Sequence, residues 1–422
     1  MRKANQKNTV RYFLLITFAL LFLFFSGDFG LIDVQKTAIV MAVGVDREDE
    51  TFIVTSQIAV PQSSKQGKST ETVQIVSRGK TVAQAFEEIN AKTGWYPKLV
   101  FCHLILLGEK TAQENVFDAL DFFLLDEYLS DNCLVATCDG FAKDLLNVTA
   151  LVDASGSVAM QKVLSSHAQR VGAVLPSTLR EFAIGYFSDS RSGFLPILKT
   201  EPQQEHVEGS NGNTGGSSNG GSGGASDSGG EGGASSSGGS SGGSGGTQQG
   251  TQDKPVFSAG ETALFLAGKR VGTLNKEETF AFNAVQNELR LAAYSVEENG
   301  ETCTLSIKRN TPKKNFTLGK DGRTYFALNV TLSAGLLDYS KATDVTQSTD
   351  AGDVPDGVFD AAEKRLAAQI DTVFEKCRNA NCDLFGVLEH LQKKENKRYE
   401  ELKNHALEQT VLKIDVRFQN VR

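Results

Sequence analysis

The sequence predicts a mixed α/β (α+β) fold of more than one domain, with sheets flanked by helices and preceded by an N-terminal membrane segment. Three observations predict it. Short β-branched apolar runs alternate with stretches of helical periodicity along most of the chain. A Gly/Ser tract over 209–246, in which thirty of thirty-eight residues are Gly or Ser, divides that pattern in two. A basic tip (Arg2, Lys3, Lys7, Arg11) stands ahead of the uninterrupted apolar run Tyr12 to Phe25. The expected organisation is a signal or anchor over 1–30, an α/β region over 31–200, a disordered Gly/Ser-rich insertion over 201–254 and a second α/β domain over 255–422.

The N-terminal run is expected to be a single membrane segment that leaves the remainder on the extracytoplasmic face, because a positive stub stays inside. Fourteen helical residues span roughly 21 Å, short of the ~30 Å hydrocarbon core, so length alone favours a signal-peptide core. Against cleavage, no small-x-small site follows: Phe25 and Asp28 occupy the positions that would have to be small. An uncleaved anchor over 10–27 and a poorly cleaved signal both remain open.

From Thr37 the elements follow in order. Thr37 to Val45 and Thr51 to Val60 are apolar and β-branched, with the turn-like Asp46-Arg-Glu-Asp-Glu50 between them, and read as a hairpin. Thr81 opens a helix with Gln84 placed for a capping box; Val82, Ala85, Phe86 and Ile89 recur at helical spacing and Gly94 ends it. Leu99 to Leu107 is a buried strand, about 111 to 125 a helix, Cys133 to Cys138 a strand, and Phe141 to Leu146 a helix. Asp153 to Phe187 reads as mainly helical with a break at Pro176.

The Gly/Ser tract cannot bury enough surface to offset its ordering entropy. Its flanks, Phe194 to Leu198 and Phe257 to Leu266, both read as strands, the second closing at Gly268 to Gly272. The tract is therefore either an interdomain tether or an enlarged loop between sheet neighbours, which costs only about 0.6 kcal/mol per doubling of length. Beyond it come strands at Thr302 to Lys308 and Tyr325 to Ser333. A helix from about Asp360 to Cys377 has the apolar face Leu366, Ile370, Val373, Phe374 and Cys377, and Asp383 to His405 is helical. The last strand, Val411 to Phe418, puts Leu412, Ile414, Val416 and Phe418 on one face and Lys413, Asp415 and Arg417 on the other.

Charge narrows the function. The first eleven residues carry +4 in a chain of net −8, so the remainder carries −12 and has no electrostatic reason to hold nucleic acid. The six cysteines (Cys102, Cys133, Cys138, Cys303, Cys377, Cys382) are too few for a disulfide scaffold and lack the two-residue gap of zinc knuckles. Buried thiols, one or two disulfides and a metal site all stay open.

Catalytic motifs are missing. His390 follows Glu389 without completing a His-Glu-x-x-His helix, no Gly-x-Ser-x-Gly elbow or phosphate loop occurs, and Gly268 to Gly272 lacks a dinucleotide site's third glycine. Cys102 beside His103 is the best nucleophile-and-base pair, yet adjacent strand residues face opposite ways. His103 reads as a structural histidine. The pairs Glu87-Glu88 and Glu277-Glu278 read as solvated. The residues thus assign no catalytic centre, cofactor or metal.

Five N-terminal segments, in order, resemble the C subunits of spore germination receptors, the Ger(x)C family. They are Thr37 to Asp46, Arg78 to Phe86, Phe101 to Glu109, Ala119 to Phe122 and Phe141 to Leu146. Val271 to Thr279 and Asn381 to Gly386 resemble that family's C-terminal markers. The resemblance implies an extracytoplasmic, membrane-anchored, non-enzymatic subunit of a nutrient germinant receptor in the spore inner membrane, beside integral-membrane A and B subunits. It also favours the insertion reading of the Gly/Ser tract. The motif and interface candidates it picks out are Gly44, Asp46, Gly79, Thr81, His103, Gly108, Glu109, Gly272, Glu278 and Asp383. Two departures stand out: Asp28 occupies the position of the lipid-bearing cysteine, so no lipidation carries over, and Leu125 to Asp131 is acidic where arginine is expected. The other reading of the residues is a membrane-anchored envelope-assembly or solute-binding protein.

Overall fold

A computed structural model describes residues 11–22, 37–60, 71–148, 155–165, 172, 174–201, 256–286, 289–298, 300–320, 323–340 and 354–421. Residues 11–22 form helix α1, whose side chains are all exposed. At about 1.5 Å per residue these described residues rise about 18 Å, against ~30 Å for a hydrocarbon core. No helix among the described residues is long and apolar enough to cross a membrane. This overturns the single N-terminal membrane segment, both as part of the fold class and as the basis for a membrane-anchored location. Asp28 and the rest of 23–36 lie outside the described residues, as does nearly all of the 201–254 stretch.

The expectation of mixed sheets with flanking helices holds. The first sheet runs β10-β9-β8-β6-β5-β1-β2-β3, with β4 on β1 and β7 on β6. Its members are β1 (Thr37–Glu48), β2 (Thr51–Val60), β3 (Glu71–Gly79), β4 (Tyr96–Lys98), β5 (Leu104–Leu107), β6 (Leu134–Cys138), β7 (Ser177–Thr178), β8 (Ser192–Glu201), β9 (Val256–Leu266) and β10 (Lys269–Leu274). Strands β1, β5, β6 and β8 are parallel neighbours, and β2, β3, β9 and β10 add antiparallel edges. Glu201 at the end of β8 faces Val256 at the start of β9. Both ends of the Gly/Ser-containing stretch therefore leave adjacent strands of one sheet.

Helices α2 (Val82–Thr93), α3 (Glu109–Gln113), α4 (Phe117–Leu125) and α7 (Leu179–Phe187) pack on one face of this sheet. Helices α5 (Ala142–Leu146) and α6 (Gly156–Val163) pack on the other. The period of two along β5 divides the layers: Ile105 and Leu107 enter the first core, Leu104 and Leu106 the second. All four are fully buried, each worth roughly 1.5–3 kcal/mol of transfer free energy. The helix expected over about 111–125 is two helices. They part at Asn115, whose side chain accepts the Phe117 N–H, while Val116 donates to the Gly268 carbonyl.

The second sheet is β11-β12-β13-β14, formed by Ala292–Glu298, Glu301–Leu318, Thr324–Ser340 and Val411–Asn420. The last pair is parallel, with Tyr325 opposite Val411. Helix α9 (Val358–Asn379) buries Leu366, Ile370, Val373, Phe374 and Cys377 against this sheet, where Val416 and Phe418 of β14 meet them. Helix α8 (Lys276–Gln286) bridges the sheets: Thr279 and Thr262 of β9 share a hydrogen bond of 3.1 Å, and Phe282 enters the core between the second sheet and α9. The stretch expected helical over Asp383 to His405 is α10 (Val387–Lys394) and α11 (Tyr399–Gln409), joined by a 3₁₀ turn at Asn396–Arg398.

Candidate functional site

In an open sheet with parallel strands, ligands bind in the crevice outside the carboxyl ends of those strands. Here that crevice is filled by the chain itself. Asp46 belongs to β1, paired with Ile53, and the hairpin turns at Asp49 and Glu50, with Asp49 at φ 52°. Its side chain is almost wholly buried and accepts the backbone N–H groups of Ala142 at 2.7 Å and Lys143 at 3.0 Å. These are the orphan donors at the start of α5, so the carboxylate caps that helix from a distant strand. Burial pushes the Asp46 pKa above the ordinary value, and the two N–H bonds oppose the rise.

Gly108 and Glu109 complete this cluster. Gly108 N–H donates to the Val45 carbonyl at 3.0 Å, and a methyl group at its Cα would overlap the Asp46 carboxylate. Glu109 N–H donates to the Gly140 carbonyl at 2.8 Å, and its carboxylate accepts the Gly140 N–H at 3.1 Å. The cavity left between Asp46, Arg47, Glu109, Lys110, Gly140 and Phe141 is only about 100 Å³, well below the ~300–1,000 Å³ of small-molecule sites. Gly44 serves the same corner: a Cβ there would lie 2.8 Å from Leu146 Cδ1 and 3.1 Å from Ala142 Cβ, so its absence lets α5 pack on β1.

The other candidates lie elsewhere. At Gly79 a Cβ would lie 2.6 Å from Ala85 N and 2.7 Å from Thr81 O, so glycine admits the tight entry into α2. Thr81 Oγ1 accepts the Gln84 N–H at 3.1 Å, as its spacing predicts, but the Gln84 side chain accepts from Lys80 N–H and not from Thr81. His103 is half-buried before β5, with Nε2 3.3 Å from the Ser157 carbonyl oxygen, and burial holds its pKa below the usual histidine value. Cys102 packs in the core on the α2/α4 side, apart from that ring. Gly272 marks a bulge in β10.

Glu278 differs from its expected solvated position. It is 7% exposed, exchanges a reciprocal cap with Asn275 at 2.8 and 2.9 Å, and pairs with Lys376 Nζ at 2.7 Å. Its neighbour Glu277 is the solvated member, paired with Arg365 at 3.3 Å. All six cysteines are free and buried. Burial raises the Cys382 thiol to about 12, and its Sγ lies 3.2 Å from the Phe265 carbonyl oxygen. Among the described residues no group of His, Cys, Asp and Glu is placed to hold a metal ion.

Asp383 belongs to a seam between the two sheets. Its carboxylate accepts N–H bonds from Gly386, Val387 and Leu388 at 2.7–2.9 Å and so caps α10, while its own N–H donates to Ser192 Oγ at 2.9 Å. Tyr399 Oη donates to Asp189 Oδ2 across the same seam at 2.8 Å. Between these ties lies a groove of about 710 Å³, bordered by α7 and the 188–194 segment on one side and by 383–399 on the other.

With that geometry, two family matches decide the assignment. Residues 31–200 match the spore germination protein N-terminal domain, and residues 260–420 match the spore germination B3/GerAC-like C-terminal domain. The chain belongs to the GerAC-like spore germination family. Both matches support, at the level of the family, a GerAC-like germinant receptor subunit. Spore germination protein B3 of Bacillus subtilis (strain 168) is 28% identical over 149 residues, 34% of this chain and 37% of that protein. The aligned part thus spans little more than a third of that relative's length. A crystal structure of the GerBC protein superposes with a TM-score of 0.51 at 16% identity, covering 90% of this chain and 97% of that one, so the GerAC-like fold extends over nearly the whole chain.

Sequence reasoning placed Asp383 in a GerAC-like marker but missed its seam partners Ser192, Asp189 and Tyr399. Nothing in Ser188-Asp-Ser-Arg-Ser192 distinguishes it from an ordinary polar turn. The Asn275-x-x-Glu278 spacing did carry a legible capping-box signal.

Proposed function

We propose that this chain serves its germinant receptor as an assembly subunit that binds the receptor's A- and B-type integral-membrane subunits and contributes contact surfaces instead of chemistry. The observation that carries this reading is the crevice at the carboxyl ends of β1, β5 and β6, where Asp46 caps α5. At about 100 Å³ that crevice is too small for a solute. The larger groove lies at the seam between the sheets, where a second protein can reach both halves. The test is deletion of the gene followed by complementation, with germination rate measured beside the amounts of the A- and B-type subunits that co-purify with the tagged chain. Loss of germination together with recovery of both subunits on the intact chain is the expected result. Normal germination after deletion, or recovery of neither subunit, overturns the proposal.

A further inference from the structure

We infer that the seam groove is a docking site for a short segment of a partner protein that carries a lysine or arginine among apolar side chains. This inference rests on the assembly reading above. The groove's volume of about 710 Å³ holds several side chains. Its apolar offering is exposed on one helix: Ile184 and Phe187 of α7 are 61% and 70% exposed, three residues apart on the same face. Large apolar side chains this open mark interaction sites when polar groups rim them.

The charged side chains that line the groove are carboxylates, with Lys314, Lys393 and Lys403 standing behind them. Glu181, Asp189, Asp383 and Glu389 line the groove, and no lysine or arginine does. Asp383 is buried and occupied by three N–H donors, and Glu389 is paired with Lys393. Glu181 caps its own helix together with Thr178, and Asp189 accepts one hydroxyl proton from Tyr399. Among the described residues neither of these last two has a cation within 4.0 Å, and the nearby Lys403, whose charge interacts with Asp189, is paired with Glu400 at 2.7 Å. A cationic side chain laid beside Asp189, with apolar neighbours on Ile184 and Phe187, would complement both features. The same carboxylates repel an anionic bilayer, and a concave seam does not lie flat on one, so the occupant is protein.

The test uses the full chain in spores. One variant carries Ile184→Ser and Phe187→Ser, which replace exposed groups. A second carries Glu181→Gln and Asp189→Asn, which keep the acceptors for the α7 cap and for Tyr399. Leu337→Ser, at another exposed apolar position on β13, is the control. At matched chain levels and unchanged melting temperature, the first variant should lower co-purification of the A- or B-type subunit about tenfold or more, as loss of central apolar anchors does. The second should lower it several-fold and flatten its dependence on salt, while the control keeps full recovery. Wild-type recovery by both groove variants overturns the docking site and leaves the assembly function standing; recovery of neither subunit by the intact chain overturns both. Binding of the intact chain to phosphatidylglycerol vesicles, lost in the first variant while subunit recovery is unchanged, identifies a lipid occupant and also overturns the inference.

Discussion

Asp46 Oδ1 accepts the backbone N–H of Ala142 at 2.7 Å and so ties the carboxyl end of a strand to the first turn of a helix 96 residues further on. Around this bond Gly44, Gly108, Glu109 and Gly140 pack too closely for a ligand to enter. The motif positions at this corner build the fold, while the seam near Asp383 leaves open surface.

Asp46→Ala should destabilise the chain by about 1–3 kcal/mol, because two buried N–H groups lose their acceptor. Urea unfolding checks this. Asp46→Asn adds a pH test. Burial raises the folded pKa of Asp46 above its unfolded value near 3.8, so the folded state binds the extra proton. Stability linked to that proton is fully present below pH 3.8 and is lost as pH rises through the folded pKa. The wild-type advantage over Asp46→Asn should therefore shrink across that window; an advantage that grows there would refute the assignment.

Gly108→Ala should cost more than Gly44→Ala. At Gly108 the added methyl overlaps Asp46 Oδ1 and displaces the carboxylate from its donors, whereas at Gly44 it meets the movable end of Leu146 at 2.8 Å and Ala142 Cβ at 3.1 Å. Overpacking alone costs about 1–3 kcal/mol, and Gly108→Ala adds the loss of the helix cap. Thermal melts of both variants would expose the reverse order.

Charge reversal separates the two adjacent glutamates. Glu278→Lys breaks a nearly buried pair and a helix cap, and since Lys376 is partly exposed the loss should lie near the low end of roughly 3–5 kcal/mol. Glu277→Lys should change stability by under about 1 kcal/mol, as surface ion pairs do. Equal denaturation midpoints for the two variants would contradict this.

His103→Gln should leave germination and subunit level near wild type at neutral pH, since the ring's partners are the backbones of Ser157, at 3.3 Å, and Phe101. Burial depresses the folded pKa below the unfolded value near 6.5. The stability tied to neutral His103 is therefore present above pH 6.5 and is lost as pH falls through the folded pKa. Relative to His103→Gln, the wild type should weaken over that acid window. If germination is abolished by this variant with all three subunits present and assembled, His103 has a direct role.

Replacing residues 202–255 by a short turn should preserve the folded chain and raise its stability by about 1–2 kcal/mol, since each halving of a flexible loop returns about 0.6 kcal/mol. The pairing of Glu201 with Val256 motivates it. Loss of the folded protein on shortening, seen by circular dichroism, would show that the tract sets a spacing the fold needs.

What the sequence determined by itself was local. The spacing of Leu366, Ile370, Val373, Phe374 and Cys377 predicted the buried stripe of α9, and the alternation after Val411 predicted the inward face of β14. Thr81 and Gly94 marked the ends of α2. These signals are legible because a repeat of 3.6 or 2 residues fixes which side chains share a face whatever that face meets. β3 escaped this reading, as did the break between α3 and α4 at Asn115. Among the described residues no helix, α1 (11–22) included, is long and apolar enough to cross a membrane. Only the tertiary structure decided the partners. It placed β9 beside β8, buried Glu278 against Lys376 and gave Asp46 to α5 and Asp383 to the seam with Ser192. Those pairings join residues more than fifty positions apart, and no local periodicity encodes them. They arise from strand order, register and crossover, which bring a carboxylate in one segment to the unpaired donors of another.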